Sequence, residues 1–140
     1  MNRYIIEPEV AGHFGEGTEW DTSVHPPVVT KLHYVFDGWL GDPLLECFPC
    51  FIVEQSVAGA LTEAGFTGIT FFVAKVSSST QFRELYPSRA LPPFKWLHVS
   101  GSRSDDVSIT NDGRLVVSHR VLSLLQTLGL SNAEICLATP

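Results

Sequence analysis

Hydrophobic and polar residues alternate with a period of two along residues 28–37 of the chain. This period predicts a half-buried β-strand, because successive side chains of a strand point to opposite faces. The Asp37-Gly38 pair that follows has the composition of a turn and predicts the end of this strand. One face of the predicted strand carries Val28, Thr30, Leu32, Tyr34 and Phe36.

The pattern of residues 51–71 recurs in residues 115–135, at a constant offset of 64 positions. In each copy, a short apolar run leads into apolar residues spaced four apart, as on one face of a helix. A glycine follows where the left-handed conformation commonly ends a helix. Each copy therefore predicts a strand, a helix and a second strand. The identical positions are Val53, Val57, Leu61 and Gly65, which match Val117, Val121, Leu125 and Gly129.

These patterns together predict one α+β domain over residues 1–140. We expect a mixed or largely antiparallel sheet with two main helices, both from the duplicated strand–helix–strand unit at residues 51–76 and 115–137. Residues 1–50 are expected to form an acidic region of strands and loops. A short helix capped by Ser78 and a hairpin about Asn111-Asp112-Gly113 are predicted between the copies. The strand order and the oligomeric state are left open.

The composition favours a folded chain, since 44% of its residues are hydrophobic and 17% are charged. The first ten residues lack the pattern of a targeting peptide, and no apolar run reaches the ~18 residues of a membrane span. The three cysteines, an odd number, disfavour a secreted disulfide framework. We therefore expect a cytoplasmic protein without membrane association.

The net charge of −6 is distributed unevenly along the chain. Residues 1–70 hold ten acidic and two basic residues, a balance of −8, whereas residues 71–140 hold five acidic and seven basic residues, a balance of +2. An acidic region repels the phosphate backbone, so we expect no nucleic-acid partner. A basic partner protein is favoured instead. The alternative is an acidic surface that only keeps the protein in solution.

Common enzyme motifs are missing from the sequence. No G-x-S-x-G or H-E-x-x-H motif is present, and the Gly-rich residues 12–17 are acidic and lack the Lys of a P-loop. We therefore expect no catalytic residue, no metal and no cofactor. The alternative is a small metal- or thiol-dependent enzyme that uses Cys47 and Cys50 with His13 or His33. The spacing of these cysteines suits a dithiol or half of a zinc site, but no second such pair exists.

Two clusters of aromatic and acidic residues lie within residues 1–50. Aromatic anchors surrounded by charge are typical of protein–protein interfaces. For Trp39 the alternative is a core position at the end of a strand, whereas Trp20 lies in a polar loop and is harder to assign to the core. The predicted partner-binding residues are Glu16, Glu19, Trp20, Asp21, Asp37, Trp39 and Asp42.

The chain from position 36 onward resembles small bacterial families in which a strand with the pattern F-x-V-[ST]-x-R leads into a helix, a glycine and another strand. Residues 115–120 with Gly129 carry the resemblance, as do residues 51–56 with Gly65. The first copy departs from the pattern, with Glu54 in place of Ser and Ser56 in place of Arg. Some of these families are associated with polymorphic toxin systems as immunity proteins. The resemblance implies a bacterial cytoplasmic protein that binds and neutralises a cognate toxin domain.

Overall fold

The computed structural model describes residues 2–138, in which strands far outnumber helices. No helix in this range is long and apolar enough to cross a membrane. The predicted α+β fold is confirmed. In chain order the elements are β1 (Arg3–Glu7), β2 (Gly12–Phe14), β3 (Glu19–Asp21), β4 (Val28–Lys31), β5 (His33–Phe36), β6 (Leu44–Cys47), β7 (Cys50–Glu54), α1 (Gln55–Glu63), β8 (Ile69–Val73), β9 (Lys75–Ser78), α2 (Thr80–Leu85), β10 (Phe94–Val99), β11 (Val107–Ile109), β12 (Leu115–Ser118), α3 (His119–Thr127) and β13 (Glu134–Leu137).

The predicted duplication is visible in the strand order of two four-stranded sheets. Sheet A has the order β11-β12-β1-β13, and sheet B has the order β6-β7-β10-β8. In each sheet, a hairpin leads into a helix and then into the last strand of the repeat. A strand from elsewhere in the chain lies antiparallel between the two repeat strands, β1 in sheet A and β10 in sheet B.

The register of the two sheets is also the same. Leu97 of β10 pairs with Phe51 of β7 and with Phe71 of β8. Ile6 of β1 pairs with the residues that lie 64 positions after those two. Both helices end at the predicted glycines, with φ of 75° at Gly65 and 112° at Gly129. Since only glycine adopts such angles without strain, the repeat specifies where its helix ends.

Both helices pack on the inner faces of sheets A and B, and the apolar residues of the two repeats form one core cluster. Sheet B is covered on its other face too, by α2 and by sheet C, which has the order β2-β5-β9. Strands β3 and β4 form a separate two-stranded hairpin, sheet D. The second core cluster, between sheets B and C, includes Tyr34, Phe36, Trp39, Ile52, Phe82, Phe94 and Trp96.

Several predicted element boundaries differ from the structure. The strand predicted over residues 28–37 is two strands, because β4 pairs with β3 whereas β5 pairs with β2 and β9. The strand predicted over residues 69–76 is likewise divided between sheets B and C. Helix α2 is capped by Ser79, whose hydroxyl accepts from the Phe82 N–H, and not by Ser78. Tertiary pairing, which local patterns do not encode, sets these boundaries.

Candidate functional site

Trp39 is part of the second core cluster and is only 8% exposed. Its indole N–H donates to the carbonyl of Asp42 at 2.9 Å, and its ring packs edge-on against Phe36 and Phe94. The Arg89 guanidinium lies 4.3 Å from the ring centroid. Trp39 is therefore mainly a core residue, but it also lines the groove described below, so its role in binding a partner stays a prediction.

Asp42 is also buried, with no exposed surface, so its predicted role in contacting a partner is wrong. Its carboxylate accepts from the backbone N–H groups of Ser131 and Asn132, at 3.2 and 2.8 Å, and from the Ser131 hydroxyl. A corresponding contact links the second repeat to the first, where the Asp106 carboxylate accepts from the N–H and hydroxyl of Thr67. Thr67 and Ser131 are equivalent positions of the two repeats. The two aspartates therefore tie the repeats together reciprocally.

Three of the other predicted acidic residues, Glu16, Glu19 and Asp21, are exposed on or beside sheet D. Trp20 is 47% exposed and packs edge-on against Phe14, with 4.9 Å between the ring centroids. The Glu19 carboxylate lies 3.8 Å from the Lys31 ammonium. We call this surface the acidic hairpin; it consists of Glu16, Glu19, Trp20 and Asp21.

The acidic hairpin and Asp37 lie at opposite ends of β5. The hairpin follows Gly15, whose N–H donates to the carbonyl of His33 at 2.8 Å, at the start of the strand. Asp37 follows the last residue of the strand, about 13 Å away along the chain direction. The structure therefore divides the predicted partner-binding residues among two separate surfaces and the core.

Asp37 borders a concave groove of about 420 Å³ between the end of β5 and helix α2. Three of its lining side chains are apolar and mostly exposed, with exposed fractions of 65% for Val10, 70% for Leu40 and 58% for Leu85. Exposed apolar side chains that cluster around a concavity are typical of interaction sites. We call this the Asp37 groove; its other lining residues include Glu9, Gly12, Asp37, Gln81 and Tyr86.

Glu9 brings an incompletely bonded carboxylate into the groove. Its Oε2 accepts from the Leu40 N–H at 2.7 Å, but its Oε1 is buried and has no hydrogen-bond partner within residues 2–138. The Asp42 N–H also lies near the carboxylate and acts to lower its pKa. Burial raises the pKa of Glu9, and the Leu40 N–H and the charge of Arg89 offset this only in part. A buried acceptor without a donor is costly, which agrees with the raised pKa of Glu9.

Asp37 forms a close pair with His13 at the rim of the groove. The His13 Nδ1 lies 2.5 Å from the Asp37 Oδ2, and both side chains are partly exposed. Burial alone raises the pKa of Asp37, but hydrogen bonds from His13 and Ser79 outweigh it and hold the pKa below its usual value. The groove therefore carries negative charge at two positions, Glu9 and Asp37.

The Cys47 and Cys50 side chains belong to opposite strands of the β6–β7 hairpin, where the two residues pair directly. Burial raises the pKa of Cys47 to about 11 and that of Cys50 to about 12. Both are therefore protonated at neutral pH, which works against a nucleophilic thiolate. Within residues 2–138, no group of three or more His, Cys, Asp or Glu side chains has the arrangement of a metal site.

His33, the other histidine of the enzyme alternative, is buried and engaged on both ring nitrogens. Its Nδ1 accepts from the Gly17 N–H at 3.1 Å, and its Nε2 lies 2.8 Å from the Ser77 hydroxyl. Burial, followed by the charge of Lys75, lowers the pKa of His33. A Cβ on Gly15 would lie 2.2 Å from the ring. The chain can therefore pass this close to His33 only because residue 15 is a glycine.

The sequence pattern did not reveal Glu9 or the apolar residues of the groove. Glu7 and Glu9 alternate as if on one face of a strand, but β1 ends at Glu7, before Pro8, and Glu9 bridges to Leu45 of sheet B. The Pro was the available signal, because it cannot donate to a strand ladder. No local pattern indicates that Leu40 and Leu85 line the same groove.

A second cleft, of about 220 Å³, lies where sheet D meets the ends of β7, β10 and β11. Its lining is largely apolar, with Val28, Phe51, Trp96 and Ile109 among its residues. It contains no buried polar side-chain atom without a partner in the described part of the chain. The Asp37 groove is the stronger candidate because it combines exposed apolar surface with two carboxylate side chains, Glu9 and Asp37.

Comparison with known proteins leaves the chain without an assigned family. No protein-family model matches it, and no curated protein matches it. The resemblance of residues 115–120 to immunity-protein families therefore stays a prediction from the sequence.

Proposed function

We propose that this chain is a non-enzymatic protein-binding module whose Asp37 groove takes a basic segment of a partner protein. The observation that carries the proposal is the placement of two carboxylates, those of Glu9 and Asp37, in a groove whose rim is formed by exposed apolar side chains. A Lys or Arg side chain supplies both a donor and the opposite charge.

The shape of the groove suits the whole of such a side chain. The aliphatic stem of Lys or Arg packs against apolar surface while the charged head bonds to carboxylates. Val10, Leu40 and Leu85 offer that surface, and Glu9 and Asp37 offer the carboxylates. A partner segment with a basic residue flanked by apolar residues therefore fits both parts of the groove.

The acidic hairpin contributes to the encounter with the partner and not to the groove itself. Glu16, Glu19 and Asp21 are exposed beyond the opposite end of β5 from Asp37, and belong to the half of the chain that carries a balance of −8. Such charges steer a basic partner during association, and the effect weakens as salt is added.

The more specific form of the proposal is a bacterial immunity protein acting in the cytoplasm. It is supported by the resemblance of residues 115–120 and by the charge distribution. A toxin domain that acts on nucleic acid must carry Lys and Arg to bind phosphate, and an acidic protein can occupy that basic surface. The proposal predicts a toxin domain encoded beside this chain. Co-expression of this chain with that domain should restore growth, and a Glu9→Lys variant that remains folded should lose both binding and protection.

The groove is tested with a defined probe, a fluorescent peptide of alternating Lys and Leu, by anisotropy at low salt. Glu9→Gln and Asp37→Asn should each weaken binding about tenfold, a change of about 1.4 kcal/mol. Glu63→Gln, which removes an exposed carboxylate at the end of α1, is the matched control and should have no effect. A matching peptide of Glu and Leu should not bind.

The pH dependence of peptide binding has a defined sign. Burial raises the pKa of Glu9 in the free protein, and a partner cation lowers it, so binding releases a proton. Affinity should therefore increase as the pH rises through the pKa of Glu9, and Glu9→Gln should remove this dependence. Equal affinity of all three variants for the Lys-Leu peptide would contradict the proposed groove.

A further inference from the structure

Strand β13 forms one edge of sheet A, and its free side pairs with no strand within residues 2–138. All four side chains are exposed, including the apolar Ile135 at 38% and Leu137 at 59%. Natural edge strands are often protected by short length, charged side chains, a Pro or a bulge, because their unpaired N–H and C=O groups recruit other strands. Strand β13 is short and begins with Glu134, but it contains no Lys, no Pro and no bulge.

The backbone groups at this edge form a self-complementary pattern. The Ala138 N–H donates to the carbonyl of Arg3 at 2.8 Å, and hydrogen-bonded pairs recur at every second residue of an antiparallel ladder. Glu134 and Cys136 therefore direct their backbone groups toward β1, whereas Ile135 and Leu137 direct theirs outward. A second antiparallel copy centred on Cys136 places each Ile135 opposite the other copy's Leu137, with four new backbone hydrogen bonds.

We propose that the chain forms a two-fold symmetric homodimer through β13, which joins the two copies of sheet A into one eight-stranded sheet. The pairing satisfies the outward N–H and C=O groups of Ile135 and Leu137. It also sets these apolar side chains against each other across the two-fold axis, as cross-strand pairs.

A like-charge pair lies beside this edge in the single chain. Glu7 lies directly opposite Glu134, and like charges in such a pair destabilise a sheet. In the dimer, Glu134 faces the small Ala138 of the second copy, with Arg3 of that copy on the next strand. The Cα atoms of Glu134 and this Arg3 lie about 10 Å apart, so the two side chains come within reach once the Arg3 guanidinium leaves the Asp105 carbonyl, to which it donates in the single chain.

The equivalent edge of sheet B, strand β8, does not offer the same pairing. After Val73 the chain leaves sheet B and enters sheet C as β9, so no residue continues the edge as Ala138 does. Thr70 and Phe94 stand where sheet A has Glu134 and Arg3, so this approach of opposite charges is missing. Strand β8 therefore provides a matched control.

Light scattering of the purified chain at high micromolar concentration tests the dimer. The expected mass is twice the 15.4 kDa of one chain. Leu137→Lys should give the single-chain mass, because it brings two like charges beside the axis. Val73→Lys, at the equivalent and 83% exposed position of β8, should leave the dimer intact. A single-chain mass for the natural sequence, or dissociation by Val73→Lys alone, overturns the proposal.

Cross-linking at Cys136 gives an independent measurement. On the axis, the two Cys136 form a non-hydrogen-bonded pair with Cα atoms about 4.5 Å apart, within the range of a disulfide. Diamide, an azo oxidant, should accept two protons and two electrons from the two thiols as it becomes a hydrazine and the disulfide forms. A covalent dimer should form in the natural chain but not in Cys136→Ser or Leu137→Lys. Equal cross-linking in Leu137→Lys overturns the proposed interface.

Discussion

The two repeats share their strand order and register, but their surroundings differ. In sheet B, the face opposite the helices is covered by sheet C and α2, and Ile52 and Trp96 on that face are buried. In sheet A, the equivalent positions, Val116 and Ile5, are only partly buried. Each repeat by itself therefore forms a sheet covered by a helix on one face. The two copies differ because only sheet B is covered on its second face, by segments that lie outside the repeat.

The additions are the segments that the repeat does not contain, residues 8–43 and 74–93. They supply β2, β5, β9 and α2, and the Asp37 groove lies where these segments meet. The free β13 edge belongs to the other copy, which has no such cover. The proposed partner groove therefore lies in the segments outside the repeat, whereas the proposed dimer edge lies in the repeat of sheet A, whose second face is not covered in this way.

The largest expected effect tests whether the two repeats are energetically equivalent. Leu61 and Leu125 are equivalent helix positions, each 2% exposed in the shared core. Leu61→Ala and Leu125→Ala should each lower the free energy of unfolding by about 3 kcal/mol, measured by urea denaturation. Leu85→Ala, an exposed helix position, should cost less than about 0.5 kcal/mol. A cost near zero for either core variant would show that its repeat is not part of a common core.

The reciprocal aspartate ties should differ in strength, because Asp42 is fully buried and Asp106 is partly exposed. Asp42→Ala removes the acceptor of two backbone N–H groups and should cost about 3 kcal/mol of unfolding free energy. Asp106→Ala should cost about 1 kcal/mol, since water can replace its carboxylate. Urea denaturation of both variants checks the order, and an equal or reversed order would mean that burial does not set the strength of the ties.

A smaller effect comes from a position where the repeats differ chemically. Glu46 pairs with Phe51 in sheet B, whereas the equivalent residue of sheet A is Ile109. Burial, with a smaller contribution from the charge of Glu7, raises the pKa of Glu46 to about 7. Since the folded state binds this proton more tightly than the unfolded state, stability should fall as the pH rises from the unfolded pKa to about 7.

Glu46→Gln should remove this pH-dependent loss. At pH 8 the variant should be more stable by about 1 kcal/mol, allowing for partial solvent exposure, or roughly 3 °C in melting temperature. Below the unfolded pKa of the carboxyl group, Gln and protonated Glu should behave alike. Thermal unfolding at acidic and at alkaline pH gives the difference in melting temperature between the variant and the natural chain at each pH. An equal difference at the two pH values would rule out titration of Glu46 as the cause.

The fold was predictable where a local pattern has one physical meaning. The four-residue spacing of Val57 and Leu61, followed by Gly65, specifies an amphipathic helix and its end, and α1 occupies that place. The strand predicted over residues 28–37 failed because its alternation continues through Leu32, although the pairing partner changes there. Alternation describes which face is buried and carries no information about which strand lies alongside.

The same limit applies to the predicted site residues, because a local pattern gives the chemistry of a side chain but not always its burial. The polar surroundings of Trp20 in the sequence already favoured an exposed position, whereas for Trp39 the sequence left both a surface and a core position open. Asp42 has the same chemistry as Asp21, yet Asp42 is enclosed by a turn of the second repeat 89 positions further on. Such long-range contacts decide whether a carboxylate meets a partner or the protein's own backbone.

The sequence by itself determined the repeated unit, the ends of its helices and the acidic character of the first half, because hydrophobic spacing, glycine conformation and charge are local properties. Only the tertiary structure decided that β1 and β10 each lie between the two strands of a repeat. It also decided that Asp42 and Asp106 link the two repeats by hydrogen bonds, and that the Leu40 N–H donates to Glu9 in a groove. These arrangements depend on which distant surfaces pack together, and packing is a property of the whole chain.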